Sequence, residues 1–146
     1  MNEHMEYTTN QKGLITELEV ALYLIKLGYN VSQPLNQDSR YDFIVDTKKN
    51  LLRVQVKTSH LSTKTENSIE FKCRSVTGRT QDGVLKASTY SEEDCDLFAT
   101  YWNGKVYLVP VFQCSTSKTL HLDKTKIRNN FAYAEDYLAE EVLKTL

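Results

Sequence analysis

The chain has 146 residues, 40% hydrophobic and 25% charged, with a net charge of −1, values near the average for globular domains that speak against disorder and against a membrane protein. This length supports one hydrophobic core and is too short for two, so a single domain over residues 1–146 is expected. The polar start MNEHMEYTTN lacks the order of a secretory signal, and no run of 18 apolar residues occurs, so a cytoplasmic chain with no membrane partner is expected.

Cys73, Cys95 and Cys114 are odd in number, far apart and without a CxxC pair, which argues against a disulfide framework and a thiolate zinc site. Along the chain, residues 13–27 read as an amphipathic helix, with Leu14, Leu18, Ala21, Leu22 and Ile25 at steps of three and four and Gly28 as the stop. A short strand over residues 29–32 follows. YDFIVD (41–46) and LLRVQVK (51–57) alternate around the polar turn TKKN, which predicts a hairpin. Residues 68–74 are a further strand candidate, followed by a polar stretch holding Gly78 and Gly83. DLFATYW (96–102) and KVYLVPVF (105–112) flank Asn103-Gly104, a pair suited to a tight hairpin turn, and Pro110 prefers an edge or a bulge. The end, residues 132–146, reads as a helix. This order implies an α/β or α+β packing with a mixed sheet.

The charge is unevenly distributed. Residues 48–86 carry nine Lys or Arg against three Asp or Glu, whereas the segments on either side are acidic. Such a block can make phosphate contacts on a protein that is neutral in total.

Placing the polar side chains in space brings out the chemistry. If residues 47–50 form the first hairpin's loop, Asp46 faces Leu51, Ile44 faces Arg53 and Asp42 faces Gln55. Strand side chains alternate, so Asp42, Gln55 and Lys57 share one face while Leu52, Val54 and Val56 take the other. On the helix, an apolar arc runs from Val20 and Leu24 through Leu14, Leu18, Ala21 and Ile25 to Leu22 and Ile15. Glu17 falls inside that arc. A carboxylate aimed at a core needs a cation, hydrogen bonds or a metal.

The series GLITE (13–17), RYD (40–42) and RVQVK (53–57) resembles the PD-(D/E)XK nuclease superfamily, in which a helix Glu, a strand Asp and a (Asp/Glu)-x-Lys strand form the active site. The closer resemblance is to homing endonucleases encoded in group I introns of bacteria, where the last acidic position is a glutamine, here Gln55. It extends through YNVSQPLNQDSRYDFIVD, DLFATYW and KVYLVPVF, roughly residues 12–113. Two positions depart from the superfamily motif: Tyr41 stands where proline precedes the Asp, and Gln55 removes one negative charge.

The resemblance implies a restriction-endonuclease-like core, a mixed β-sheet flanked by helices. It also implies a Mg²⁺-dependent endodeoxyribonuclease, with Mn²⁺ as the alternative ion, cutting both strands of double-stranded DNA at a specific site. Glu17, Asp42, Gln55 and Lys57 are its expected catalytic residues. Asp42, the side-chain oxygen of Gln55, Glu17 and the carbonyl of Val56 are oxygen ligands suited to Mg²⁺, and Lys57 would orient the attacking water and offset phosphate charge. Arg40, Lys72, Arg74, Arg79, Gln81 and Lys86 are the candidates for DNA contact. One site cuts one strand at a time, so double-strand cleavage implies a homodimer or homotetramer, with the helix over residues 132–146 as an expected part of the interface. The alternatives are a DNA-binding module of the same fold that has lost catalysis through Gln55, a structure-selective nuclease of Holliday-junction type, and a restriction-like enzyme.

Overall fold

The computed structural model describes residues 6–79, 81–124 and 131–146, with the side chains at 76–79 and 85–87 also left out. The first helix, α1 (Thr9–Lys26), begins earlier than its apolar pattern suggests because a capping box opens it. The Thr8 hydroxyl accepts from the Gln11 N–H at 3.1 Å, and the Gln11 side chain accepts from the Thr8 N–H at 2.9 Å, which satisfies donors that a helix start leaves without partners. Gly28, at φ +98°, ends it as expected.

Among the described residues ten strands follow: β1 (Asn30–Ser32), β2 (Phe43–Asp46), β3 (Leu51–Val56), β4 (His60–Leu61), β5 (Ser68–Lys72), β6 (Arg74–Arg79), β7 (Leu85–Thr89), β8 (Leu97–Trp102), β9 (Lys105–Pro110) and β10 (Ser117–His121). The central sheet has the order β1-β2-β3-β8-β9, with β3 and β8 parallel and the other pairs antiparallel, so it is mixed as expected. The β2–β3 register pairs Asp46 with Leu51 and Ile44 with Arg53, as the turn length predicts. Lys48 in the turn takes a positive φ of 70°, supported by the Asp46 side chain accepting from its N–H at 2.7 Å. Asn103 and Gly104 are both at positive φ in the β8–β9 turn, and Pro110 closes β9 on the sheet's edge.

Both helices cover one face of this sheet. Val20 and Leu24 of α1 pack with Phe43, Val45, Val54, Val56, Leu97, Ala99 and Leu108, joined by Ala139 and Leu143 of α2 (Ala139–Lys144). The other face of β8 and β9 carries Phe98, Tyr107 and Val109, which pack against Ile69, Phe71 and Leu120 of a three-stranded sheet ordered β10-β5-β4. The layers are therefore helices, mixed sheet and small sheet, and not helices on both faces. Strands β6 and β7 form a separate two-stranded ribbon, irregular between Val76 and Gly78, where the sequence shows only a polar stretch.

Two expectations need correction. The C-terminal segment is not one helix from 132 to 146. A 3-10 turn at Ala134–Tyr137 precedes a break at Leu138, and only six residues of α-helix follow. Leu138 is extended (φ −56°, ψ 132°) because it bridges to Tyr107 on the free edge of β9. The apolar arc of α1 was also centred wrongly. Thr16, Val20 and Leu24 are buried, whereas Leu14, Leu18, Leu22 and Ile25 are 48 to 59% exposed. The helix turns only one border of its broad apolar surface to the sheet.

Candidate active site

The site forms where β2 and β3 stop pairing. The Asp42 N–H donates to the Val54 carbonyl at 2.8 Å, the last backbone bond the two strands share there. Beyond it the chain of β2 turns away, and the Asp42 carboxylate takes the vacated place by accepting from the Val56 N–H at 2.7 Å. This bond satisfies a backbone donor and holds the carboxylate beside Gln55 and Lys57.

Alternation then fixes the rest. Phe43, Val45, Val54 and Val56 enter the helix-side core, so Asp42, Gln55 and Lys57 lie on the opposite face, Gln55 half-buried. Lys57 is close enough to Asp42 for its charge to favour the ionised carboxylate. Glu17 and Asp42 line one open cavity of about 410 Å³, walled by Gln33, Pro34, Leu35, Asn36 and Gln37 of the β1–β2 connection. Glu17 reaches it from the border of the buried stripe of α1, one turn before Val20 and Ala21. Thr16, its neighbour, holds the start of α1 to the end of β3: its hydroxyl donates to the Lys12 carbonyl and lies 3.3 Å from the Thr58 hydroxyl.

Burial pushes the Asp42 carboxyl above its ordinary range, with the Val56 N–H and the Lys57 ammonium opposing that shift. Burial also raises Glu17, and the nearby Asp42 charge adds to it. Two partly desolvated carboxylates repel each other in one cavity; Lys57 offsets part of the Asp42 charge, and a hard cation would offset more. The oxygen donors Asp42, Glu17 and Gln55 fit such an ion, although no group of three or more His, Cys, Asp or Glu side chains forms a metal cluster among the described residues. The amide of Gln55 stands where a third such carboxylate is expected.

Lys57 points along the sheet to the ribbon. Its ammonium donates to the Arg74 carbonyl and to the Tyr90 hydroxyl, both at 3.3 Å, and lies 4.7 Å from the centre of the Tyr90 ring. Of the candidates for DNA contact, Arg40 is engaged within the protein. Its guanidinium stacks over the same ring at 4.0 Å and donates to the Ser88 hydroxyl and the Thr89 carbonyl, each at 2.8 Å. Lys72 and Gln81 are exposed and Arg74 is half-buried, while the side chains of Arg79 and Lys86 lie outside the described residues.

Sequence reading missed Tyr90, which sits in a connection where no period marks it. It also missed the pairing of Arg53 with Asp96. The Asp96 carboxylate accepts from the Arg53 backbone N–H at 2.8 Å and faces its guanidinium at 3.2 Å, which itself donates to the Glu92 and Glu93 carbonyls. This network ties the chain that enters β8 to β3.

A strand Asp held by a β3 N–H shares a cavity with a helix Glu, and a Lys two residues beyond a Gln lies on the adjoining strand. The family model for PD-(D/E)XK endonucleases matches residues 7–140, and the chain belongs to that family: it is a nuclease. Nucleases of this family are generally dependent on divalent metals. The solved structure of a bacterial homing endonuclease, I-Ssp6803I, is similar to this chain at a TM-score of 0.73 and 26% identity, over 95% of each chain. No protein of curated function matches it. No helix among the described residues is long and apolar enough to cross a membrane.

Proposed function

We propose that the chain is a Mg²⁺-dependent endonuclease of homing type, cutting both strands of double-stranded DNA at a specific site. The convergence of Asp42, Lys57 and Glu17 at the point where β2 leaves β3 carries this reading. The likeness to a bacterial homing endonuclease over 95% of both chains supports its finer form.

A phosphodiester resists water because its oxygens repel the nucleophile, so the site must offset that charge and orient a water. Asp42, Gln55 Oε1, Glu17 and the Val56 carbonyl would hold Mg²⁺, or Mn²⁺ as the alternative, which when bound offsets phosphate charge and acidifies a coordinated water. Asp42 arrives pre-oriented by the Val56 N–H. Gln55 would contribute an oxygen without charge, leaving more of the ion's charge to offset that of the scissile phosphate. Lys57 orients the attacking water and places a positive charge beside the phosphate. The ribbon β6–β7, rooted at the site, carries Arg74, Arg79 and Lys86 on its strands, with Gln81 in its turn and Lys72 just before it, as the DNA-contacting element. Two-stranded ribbons fit the major groove.

We also assign self-association, as a homodimer or homotetramer, to α1 and not to the C-terminal segment. Ile15, Leu18, Leu22 and Ile25 are exposed at spacings of three and four, the seam of a coiled coil, with Leu14 alongside. Monomers rarely leave apolar patches larger than a few hundred Å² uncovered. Leu18→Glu should therefore yield a monomer by light scattering while the circular dichroism of the chain is unchanged. A variant that keeps the wild-type mass removes α1 from the interface.

Incubation with Mg²⁺ and a random-site DNA library, followed by sequencing of the cut ends, tests the activity. Discrete sites cut in both strands are expected. Gln55 favours one second reading, a binding module of the same fold. Duplex binding with no cleavage in Mg²⁺ or Mn²⁺, and cleavage only by Gln55→Glu, would establish that reading.

A further inference from the structure

Two cations flank the site residues in sequence: Arg40 precedes Asp42, and Lys57 follows Gln55. Both end on the base of the ribbon. The Arg74–Thr89 pair is its first rung. The Arg74 carbonyl receives the Lys57 ammonium, and the Thr89 carbonyl and Ser88 hydroxyl receive the Arg40 guanidinium. Tyr90, the next residue, meets both cations with one ring, 4.0 Å from the guanidinium and 4.7 Å from the ammonium, while its hydroxyl takes a hydrogen bond from Lys57. The ring is itself fixed. It stands edge-on to Phe98 at 5.3 Å and 86°, and Phe98 is buried between the central sheet and the small sheet.

We propose that Tyr90 is a positioning residue for Lys57, and that with Arg40 it joins the β6–β7 ribbon to the active site so that the ribbon's seating on DNA sets where the ammonium stands. This rests on the nuclease reading of the site. A lysine head on four rotatable bonds is poorly placed by its own backbone. Here an aromatic face, a phenol oxygen and a carbonyl define its position, and attraction to a ring face is strongest where water is excluded. The Arg74 carbonyl belongs to the ribbon's first rung, and the ring that supplies the other two groups follows directly on that rung's Thr89. A ribbon pulled away from its seat therefore carries the ammonium away from Asp42, and one that docks correctly delivers it. Misplacing a catalytic group by about 1 Å is enough to cost about 100-fold in rate. Arg40 in this arrangement holds the ribbon and not a phosphate.

The test measures single-turnover cleavage at saturating DNA for wild type, Tyr90→Phe, Tyr90→Leu, Arg40→Met and the double variant Arg40→Met with Tyr90→Leu. Tyr90→Phe keeps the ring and its packing on Phe98, and should lose only a few-fold in rate. Tyr90→Leu should lose about 10- to 100-fold in rate with DNA affinity nearly unchanged. Arg40→Met should slow cleavage too, and the double variant should lose less than the product of the two single effects, as coupled residues do. The Lys57 ammonium resonance, assigned by its disappearance in Lys57→Arg, reads the contact without cleavage: Tyr90→Leu should shift it and Tyr90→Phe should largely preserve it. A Tyr90→Leu enzyme with wild-type rate at saturation and an unmoved resonance overturns the proposal, as does a loss confined to DNA affinity. A wild-type chain that cuts nothing in Mg²⁺ or Mn²⁺ but shows the resonance pattern keeps Tyr90's hold on Lys57 and overturns the nuclease reading instead.

Discussion

The two hairpins of the central sheet have the same alternation and opposite fates. In β8–β9, Leu97, Phe98, Ala99 and Thr100 are all buried, as are Val106 through Val109, because helices cover one face and the small sheet covers the other. In β2–β3 the helix face is closed, whereas on the opposite face, which carries Asp42, Gln55 and Lys57, Asp42 lines an open cavity. The parallel contact of β3 with β8 joins the two. The candidate site thus needs no special backbone. It needs one strand pair that the second layer leaves bare, held rigid by a neighbour buried on both sides.

That contrast predicts two separable kinds of damage. Asp42→Ala and Lys57→Ala should each lower the cleavage rate by about 100- to 10,000-fold, with DNA binding largely kept and the urea midpoint close to wild type. Phe98→Ala, one strand away, should instead cost about 3 to 5 kcal/mol of stability by emptying the interlayer core. Equal damage from both kinds in denaturant titrations would erase the distinction between the hairpins.

Gln55 sharpens the same comparison within one side chain. Gln55→Leu should raise the Mg²⁺ concentration for half-maximal cleavage by about tenfold or more without unfolding the sheet. Gln55→Glu should preserve activity in Mg²⁺, since a carboxylate is the stronger partner for a hard ion. Metal titrations of the cleavage rate decide between these outcomes.

The open face should also show in pH dependence. The folded chain holds protons on Asp42 and Glu17 above the ordinary values of 3.8 and 4.5, so between those values and the raised ones it binds more protons than the unfolded chain. Stability from these groups is fully present below the ordinary values and is lost as pH rises through the raised ones. In metal-free protein Asp42→Asn should flatten this decline and raise the melting temperature at neutral pH. Mg²⁺ should raise the melting temperature of the wild type more than that of the variant. Calorimetry across pH 4 to 8, in about this range of carboxylate titration, would show a wild-type decline no steeper than the variant's if the two carboxylates do not share the cavity.

The smallest effect concerns the surface next to the site. Lys72 is exposed at the end of β5, adjoining the ribbon. If it contacts a phosphate, Lys72→Ala should weaken binding to all sequences alike and reduce the slope of log affinity against log salt by about one. An unchanged slope assigns Lys72 to solvent.

What the sequence alone determined here is local. A four-residue polar turn and a period of two place Asp42 opposite Gln55 and on the face of Lys57, because side-chain direction in a hairpin follows from counting once the turn is known. Gly28 as a helix stop and Asn103-Gly104 as a turn were legible for the same reason: each needs positive φ at its own position. The tertiary structure decided everything that depends on what lies across a gap. The small sheet joins β5 to β10, whose strands are short and far apart in the chain, so no periodicity announces their pairing. The ribbon β6–β7 hid in a polar stretch because no apolar period marks its strands. The C-terminal helix was shortened by the edge of β9, which captured Leu138. On α1 the apolar surface is wider than one contact requires, so its pattern shows that the helix packs but not through which border. Only the position of the sheet beneath it selected Val20 and Leu24, turned Glu17 to the cavity, and left Leu18 and Leu22 outside.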